Sequence, residues 1–189
     1  MKKLRPFAAG NSHRGGIMLR CAFLAALILS SFTCQAFSQS LLQNGKFSKP
    51  LAPWKIFSIE GTGGTEKSAA GGVLTVKALE VSGKASDRQL IQTVHLEGFT
   101  DYVLEFEARA DLDVAGELMV VLTEPQAPYG NFGLKTGFRL LPEWEKYSAP
   151  FRTIQISPGT ELLVKFLMGK MQGTIFFRNV MLVQVPTDT

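Results

Sequence analysis

DYVLEFEARA, residues 101 to 110, sets Tyr102, Leu104, Phe106 and Ala108 against Val103, Glu105 and Glu107 in strict alternation. Successive side chains of an extended strand point to opposite faces, so this period of two commits the segment to a strand with one apolar and one polar face. ELLVKFLM repeats the pattern with Leu162, Val164, Phe166 and Met168. The same reading places strands near 41–47, 54–58, 73–78, 89–96, 102–109, 116–123, 137–141, 145–152, 161–168 and 174–184. Between them stand turn formers: Gly61, Gly63 and Gly64, then Gly71 and Gly72, Pro125 and Pro128, Pro158 and Gly159. No segment has the apolar spacing of a long amphipathic helix. Ten short strands with this punctuation predict an all-β fold, an antiparallel sandwich or jelly roll.

The first 38 residues read differently. A basic stretch (Lys2, Lys3, Arg5, Arg14, Arg20) precedes the apolar run CAFLAALILSSF and the small-residue exit Ala36-Phe37-Ser38. This is the order of a signal peptide, with cleavage expected after Ser38 and a secreted or periplasmic product. The run is shorter than the roughly 20 residues of a spanning helix, so no integral membrane span is expected after cleavage. Met18 is an alternative start, and a lipoprotein attached through Cys34 is a minor alternative fate. The expected organisation is a leader over 1–38 and a single sandwich domain over 39–189.

Removing the leader changes the electrostatics. It holds 5 of the 20 Lys and Arg and none of the 16 Asp and Glu, leaving 15 minus 16, or −1. The basic isoelectric point therefore belongs to the leader and does not argue for nucleic acid as a partner. Cys21 and Cys34 also leave with it, so disulfides and thiol chemistry are not expected in the remainder.

Few catalytic sets survive. His95 is the sole histidine after residue 38; it shares strand parity with Gln89, Ile91 and Thr93 and reads as a solvated strand residue, not a base beside a nucleophile. GTGGTEKS, residues 61 to 68, lacks the second glycine of a phosphate loop where Glu66 stands and reads as a plain loop. Glu105 and Glu107, about 6.6–6.8 Å apart on one strand face, fall within the spacing of roughly 6.5–9.5 Å for an inverting glycosidase. Two carboxylates on one strand do not easily flank a bond from opposite sides, and a solvated sheet face explains them more simply.

Four stretches, in order, resemble the CenC-type carbohydrate-binding modules (families 4 and 9, with the related xylan-binding family 22): LLQNGKF with the following PW (41–54), SDRQLIQTVHLEGFTDYVLEFEARA (86–110), PEWEKYSAPF (142–151) and GTIFFRNVML (173–182). The resemblance implies a galactose-binding-like jelly roll that binds an oligo- or polysaccharide without catalysis and can serve a separate glycoside hydrolase. It also implies that Trp54 and Trp144 are packed. Many relatives bind calcium through acidic positions that here are Lys46, Ser48 and Arg178; cations repel calcium, so no metal and no cofactor is expected.

A pyranose offers an apolar C–H face to a flat ring and hydroxyls to polar side chains. The loop EPQAPYGNFG, residues 124 to 133, carries Tyr129 and Phe132 with Gln126 and Asn131 where no strand pairing is expected to bury them. Those rings either stack on sugar or plug the end of the sandwich. Arg88, Gln89, Glu105 and Glu107 are candidate hydroxyl partners, with an ordinary solvated sheet face as the alternative. Two other functional readings remain open: an envelope or extracellular protein-interaction sandwich, and a small glycoside hydrolase built on the two glutamates.

Overall fold

A computed structural model describes residues 39–59 and 64–186. The leader expected over 1–38 lies outside the described residues. Ten strands appear in chain order: β1 (Lys55–Ser58), β2 (Thr65–Ala70), β3 (Val73–Ala78), β4 (Arg88–Val94), β5 (Asp101–Val114), β6 (Glu117–Thr123), β7 (Asn131–Arg139), β8 (Glu145–Arg152), β9 (Leu162–Leu167) and β10 (Gln172–Gln184). The helical content of the described residues is one 3₁₀ turn, Ala85–Asp87, and none of their helices is long and apolar enough to cross a membrane.

The strands form two five-stranded antiparallel sheets. The front sheet has the order β1-β4-β9-β6-β7 and the back sheet β2-β3-β10-β5-β8. Alternation decides what lies between them. Leu90, Leu118, Val120, Leu122, Val164 and Phe166 from the front meet Leu74, Val76, Leu104, Phe106, Ile175 and Phe177 from the back, all buried. Phe106 is the hub, with Phe138, Tyr147 and Phe166 rings at 5.3, 5.2 and 5.2 Å. Trp54 closes one end against Phe47 and Phe166, at 5.9 and 6.1 Å.

Three local expectations are corrected. Residues 41–47 are bends and turns, not a strand. The Gln92 amide accepts from Gln43 N at 2.7 Å and donates to Gln43 O at 2.9 Å, while Asn44 and Phe47 take left-handed φ of 49° and 46°. The 61–68 segment is not all loop, because Thr65–Ala70 pairs residue for residue with β3. TEKSAA has weak strand propensity, and its edge position depends on the template β3 provides. Finally, β7 begins at Asn131, not near 137, so the aromatic loop is shorter than expected.

Candidate functional site

The outward side chains of the front sheet fall in rows set by strand register. One row, through Cα partners, reads Lys55, Ile91, Lys165, Val121, Lys135 across all five strands. Beside it runs Phe57, Gln89, Leu167, Met119, Gly137. On the other side lie Thr93, Leu163, Thr123 and Asn131. The face is thus apolar along its middle, dotted with lysines and amide or hydroxyl groups. Two rings stand out from it: Phe57 is 47% and Tyr129 55% exposed.

Tyr129 reaches this face from the β6–β7 loop. Its N–H donates to Gln126 O at 3.0 Å and its φ is +57°, a conformation that costs a bulky residue about 1–2 kcal/mol. The ring lies over Lys165, whose Nζ is 4.9 Å from the ring centroid. Asn131 spends its side chain on the loop itself, donating to Leu134 O at 2.6 Å and accepting from Gly133 N at 3.0 Å. Phe132 lies in β7, half-buried and packed on the core, so of the two rings that the sequence placed in the loop one is packed and one projects. Gln126 is exposed at the loop's start.

The remaining sequence candidates are divided by the fold. Gln89 is on the front face, half-buried, with its amide N–H donating to Ser86 O. Arg88 points the other way and is fully buried, which corrects its assignment as a ligand contact. Its guanidinium donates to Thr65 Oγ1 at 2.8 Å and Glu80 O at 3.2 Å, tying β4 to the edge of the back sheet. Desolvation lowers its pKa from the usual arginine value, with Asp87 opposing.

Glu105 and Glu107 lie on the outside of the back sheet, separated from Tyr129 by the whole sandwich, and cannot join it at one ligand. Glu107 is clamped by Asn179 Nδ2 at 2.6 Å and by Arg178 Nε at 2.7 Å. These two hydrogen bonds, Asn179's first, hold its carboxyl below the ordinary range. Glu105 pairs with Lys146 at 2.9 Å. Both carboxylates therefore point the same way and are engaged by cations, the reverse of a pair flanking a cleft.

Trp144 also belongs to this outer back surface, where the sequence had placed it in a packed core. It is half-buried, with the Arg178 guanidinium 4.2 Å from its ring centroid and Phe176 at 6.4 Å. Arg109 lies 3.8 Å from the Phe176 ring centroid. Tyr147, Ala149 and Phe151 do face inward.

A depression of about 550 Å³ lies at the edge formed by residues 39–53 with Val180 and Met181. It has neither an aromatic ring nor a carboxylate in its lining, so it offers little to a sugar. Lys46 and Ser48 stand there, Arg178 is turned to Glu107, and the described residues contain no group of three or more His, Cys, Asp or Glu placed to hold a metal. These residues do not fit a calcium ion.

Sequence reasoning missed Phe57 and Lys165. The parity of KIFS, with Ile56 inward, puts Phe57 outward; that Lys165 sits in the middle of the face requires the cross-strand register.

Comparison with solved structures places the fold. The chain superposes on a family 4 carbohydrate-binding module with TM-score 0.65 at 20% identity, covering 76% of this chain and 99% of that one. The second N-terminal cellulose-binding domain of Cellulomonas fimi β-1,4-glucanase C gives 0.64 at 23%, covering 79% and 97%. A family 22 module joined to the family 10 xylanase module of Clostridium thermocellum xylanase 10B, complexed with xylohexaose, gives 0.53 at 10%, covering 78% of this chain and 29% of that one. No family model and no curated protein matches the sequence. The chain therefore has the jelly-roll fold of the CenC-type carbohydrate-binding modules.

Proposed function

We propose that the protein is an exported, non-catalytic carbohydrate-binding module whose ligand lies across the outer face of the front sheet. The observation that carries this reading is the pair of rings Phe57 and Tyr129, both about half exposed, on a face that carries Ile91, Met119, Val121, Leu163 and Leu167. A contiguous apolar strip rimmed by polar groups is the form of a ligand site. The rings supply flat surface for sugar C–H faces, while Gln89 and Thr93 supply hydrogen bonds for hydroxyls. The cellulose-binding and xylohexaose-bound neighbours share the fold and support a β-linked polysaccharide as the class of ligand.

The signal-like leader supports export, and a separate glycoside hydrolase is the natural companion of such a module. Affinity electrophoresis and calorimetry against cellulose oligosaccharides, xylan and mannan test the proposal. Binding to one or more that falls in Phe57→Ala and in Tyr129→Ala supports it; binding unchanged in both removes the front face from the account.

A further inference from the structure

Lys165 is an expensive residue to keep where it is. The side chain is 8% exposed in the centre of the front face, flanked by Ile91 on β4 and Val121 on β6 and covered by Tyr129. Among the described residues no carboxylate lies within 4 Å of its ammonium; all five ion pairs belong to the back sheet. Burying an unpaired charge is costly, and methionine or leucine would fill the same space without that cost. Desolvation pushes the Lys165 ammonium below the usual lysine range, as expected for a cation without a partner. The ammonium is not sealed, since the described side-chain polar atoms that are both sealed and unpartnered are Asn44 Oδ1 and Trp54 Nε1.

Lys165 is also not alone. In its row, Lys55 and Lys135 stand on the two edge strands, both exposed, with one aliphatic residue between each cation and the next. Two strand spacings separate neighbouring lysines, or roughly 9–10 Å. Apart from the inward, buried Arg88, the five front strands contain one acidic residue, Glu117, against Lys55, Lys135, Arg139 and Lys165. The net charge of residues 39–189 is only −1, so the positive strip is a local feature of this face.

We propose that the front face takes a polysaccharide carrying uronic acid carboxylates, and that Lys165, with Lys55 and Lys135 in the same row, selects it over the neutral polymer. This rests on the carbohydrate-binding reading above and adds the chemistry of the ligand to it. A sugar stacked on the open side of Tyr129 and a carboxylate bonded to Lys165 belong to the same or adjacent residues of one chain. A carboxylate is favoured over a sulfate ester because it is the more basic acceptor, and a partly desolvated ammonium gains most from a strong charge-assisted hydrogen bond.

The test compares matched polymers by calorimetry at low salt: glucuronoxylan against unsubstituted xylan, polymannuronate against mannan, with dextran sulfate as a sulfated control. Wild type is expected to bind a uronate-bearing member at least about tenfold tighter than its neutral partner, with the advantage shrinking as salt rises. Lys165→Met should abolish that advantage. The double variant Lys55→Gln/Lys135→Gln, on exposed positions that the fold does not need, should reduce it and carries the test if Lys165→Met fails to fold. Equal affinity for neutral and uronate polymers, an advantage that survives in the variants, or equally tight dextran sulfate binding, which marks a mere ion exchanger, would overturn the inference. Neutral glycans bound without preference would leave the carbohydrate-binding function standing; no glycan bound at all by wild type would end both.

Discussion

The two outer surfaces of this sandwich are built from the same kind of alternating strand and have opposite electrostatic habits. Strands of the back sheet carry seven acidic residues (Glu66, Asp101, Glu105, Glu107, Asp111, Asp113, Glu145) and six basic ones, and all five ion pairs of the described residues sit there. Its rings are covered too, with guanidinium groups over Trp144 and Phe176. Among the described residues the exposed face of the front sheet has no carboxylate within 4 Å of Lys55, Lys135 or Lys165 and leaves Phe57 and Tyr129 open. A surface whose groups are satisfied internally has little left to offer a ligand. One with open rings and unpaired ammonium groups has its interactions in reserve.

That contrast can be broken by substitution. The largest stability effect is expected inside the sandwich, at Arg88. Arg88→Met strands the Thr65 hydroxyl and the Glu80 carbonyl, and should cost about 3 kcal/mol in denaturant unfolding while the folded fraction keeps its glycan affinity. If affinity fell and stability did not, Arg88 would be a ligand contact after all.

Next in size is Glu107→Gln, which loses the charge-assisted bonds to Arg178 and should cost about 2 kcal/mol at neutral pH. Because the folded carboxyl titrates below its ordinary value of 4.5, this stabilisation is present above that pH. It is lost as pH falls through the lowered folded value. Wild type and variant should therefore converge in stability on acidification; a gap that widens in acid would mean the carboxyl is not held low. A smaller loss, about 1 kcal/mol, is expected for Trp144→Ala, whose ring is only half-buried between Arg178 and Phe176. Glycan binding should not change in either back-surface variant.

The sequence pattern reaches a long way into this fold. Strands 73–78 and 145–152 are read to the residue, because VLTVKA, which follows Gly71-Gly72, and EKYSAPFR alternate cleanly. TEKSAA is opaque by comparison, since an edge strand held by its neighbour needs no propensity of its own. LLQNGKF misleads in the other direction: its apolar residues suggest a strand, yet Gln43 bonds through both its backbone groups to the Gln92 side chain and Phe47 N turns back to Asn44 O.

The site is less legible than the fold. Within RQLIQTV, parity alone separates inward Arg88 from outward Gln89, so pairing them as co-ligands overlooks a rule the sequence does contain. Trp144, just before a strand, lies outside that rule, and only the path of the chain shows it covering the back surface. The row Lys55, Ile91, Lys165, Val121, Lys135 is invisible in one dimension. Each lysine reads as an ordinary polar position of its own strand, and only the antiparallel register aligns the three with nothing acidic between them.

The most direct measurement sets one surface against the other: calorimetric titration of the best-bound polysaccharide into Phe57→Ala/Tyr129→Ala and into Trp144→Ala, both checked for folding. Truncating two exposed rings at a ligand site should weaken binding by about a hundredfold or more, while the back-surface variant should match wild type. Wild-type affinity in the double variant, with loss in Trp144→Ala, would contradict the assignment of the ligand to the front sheet.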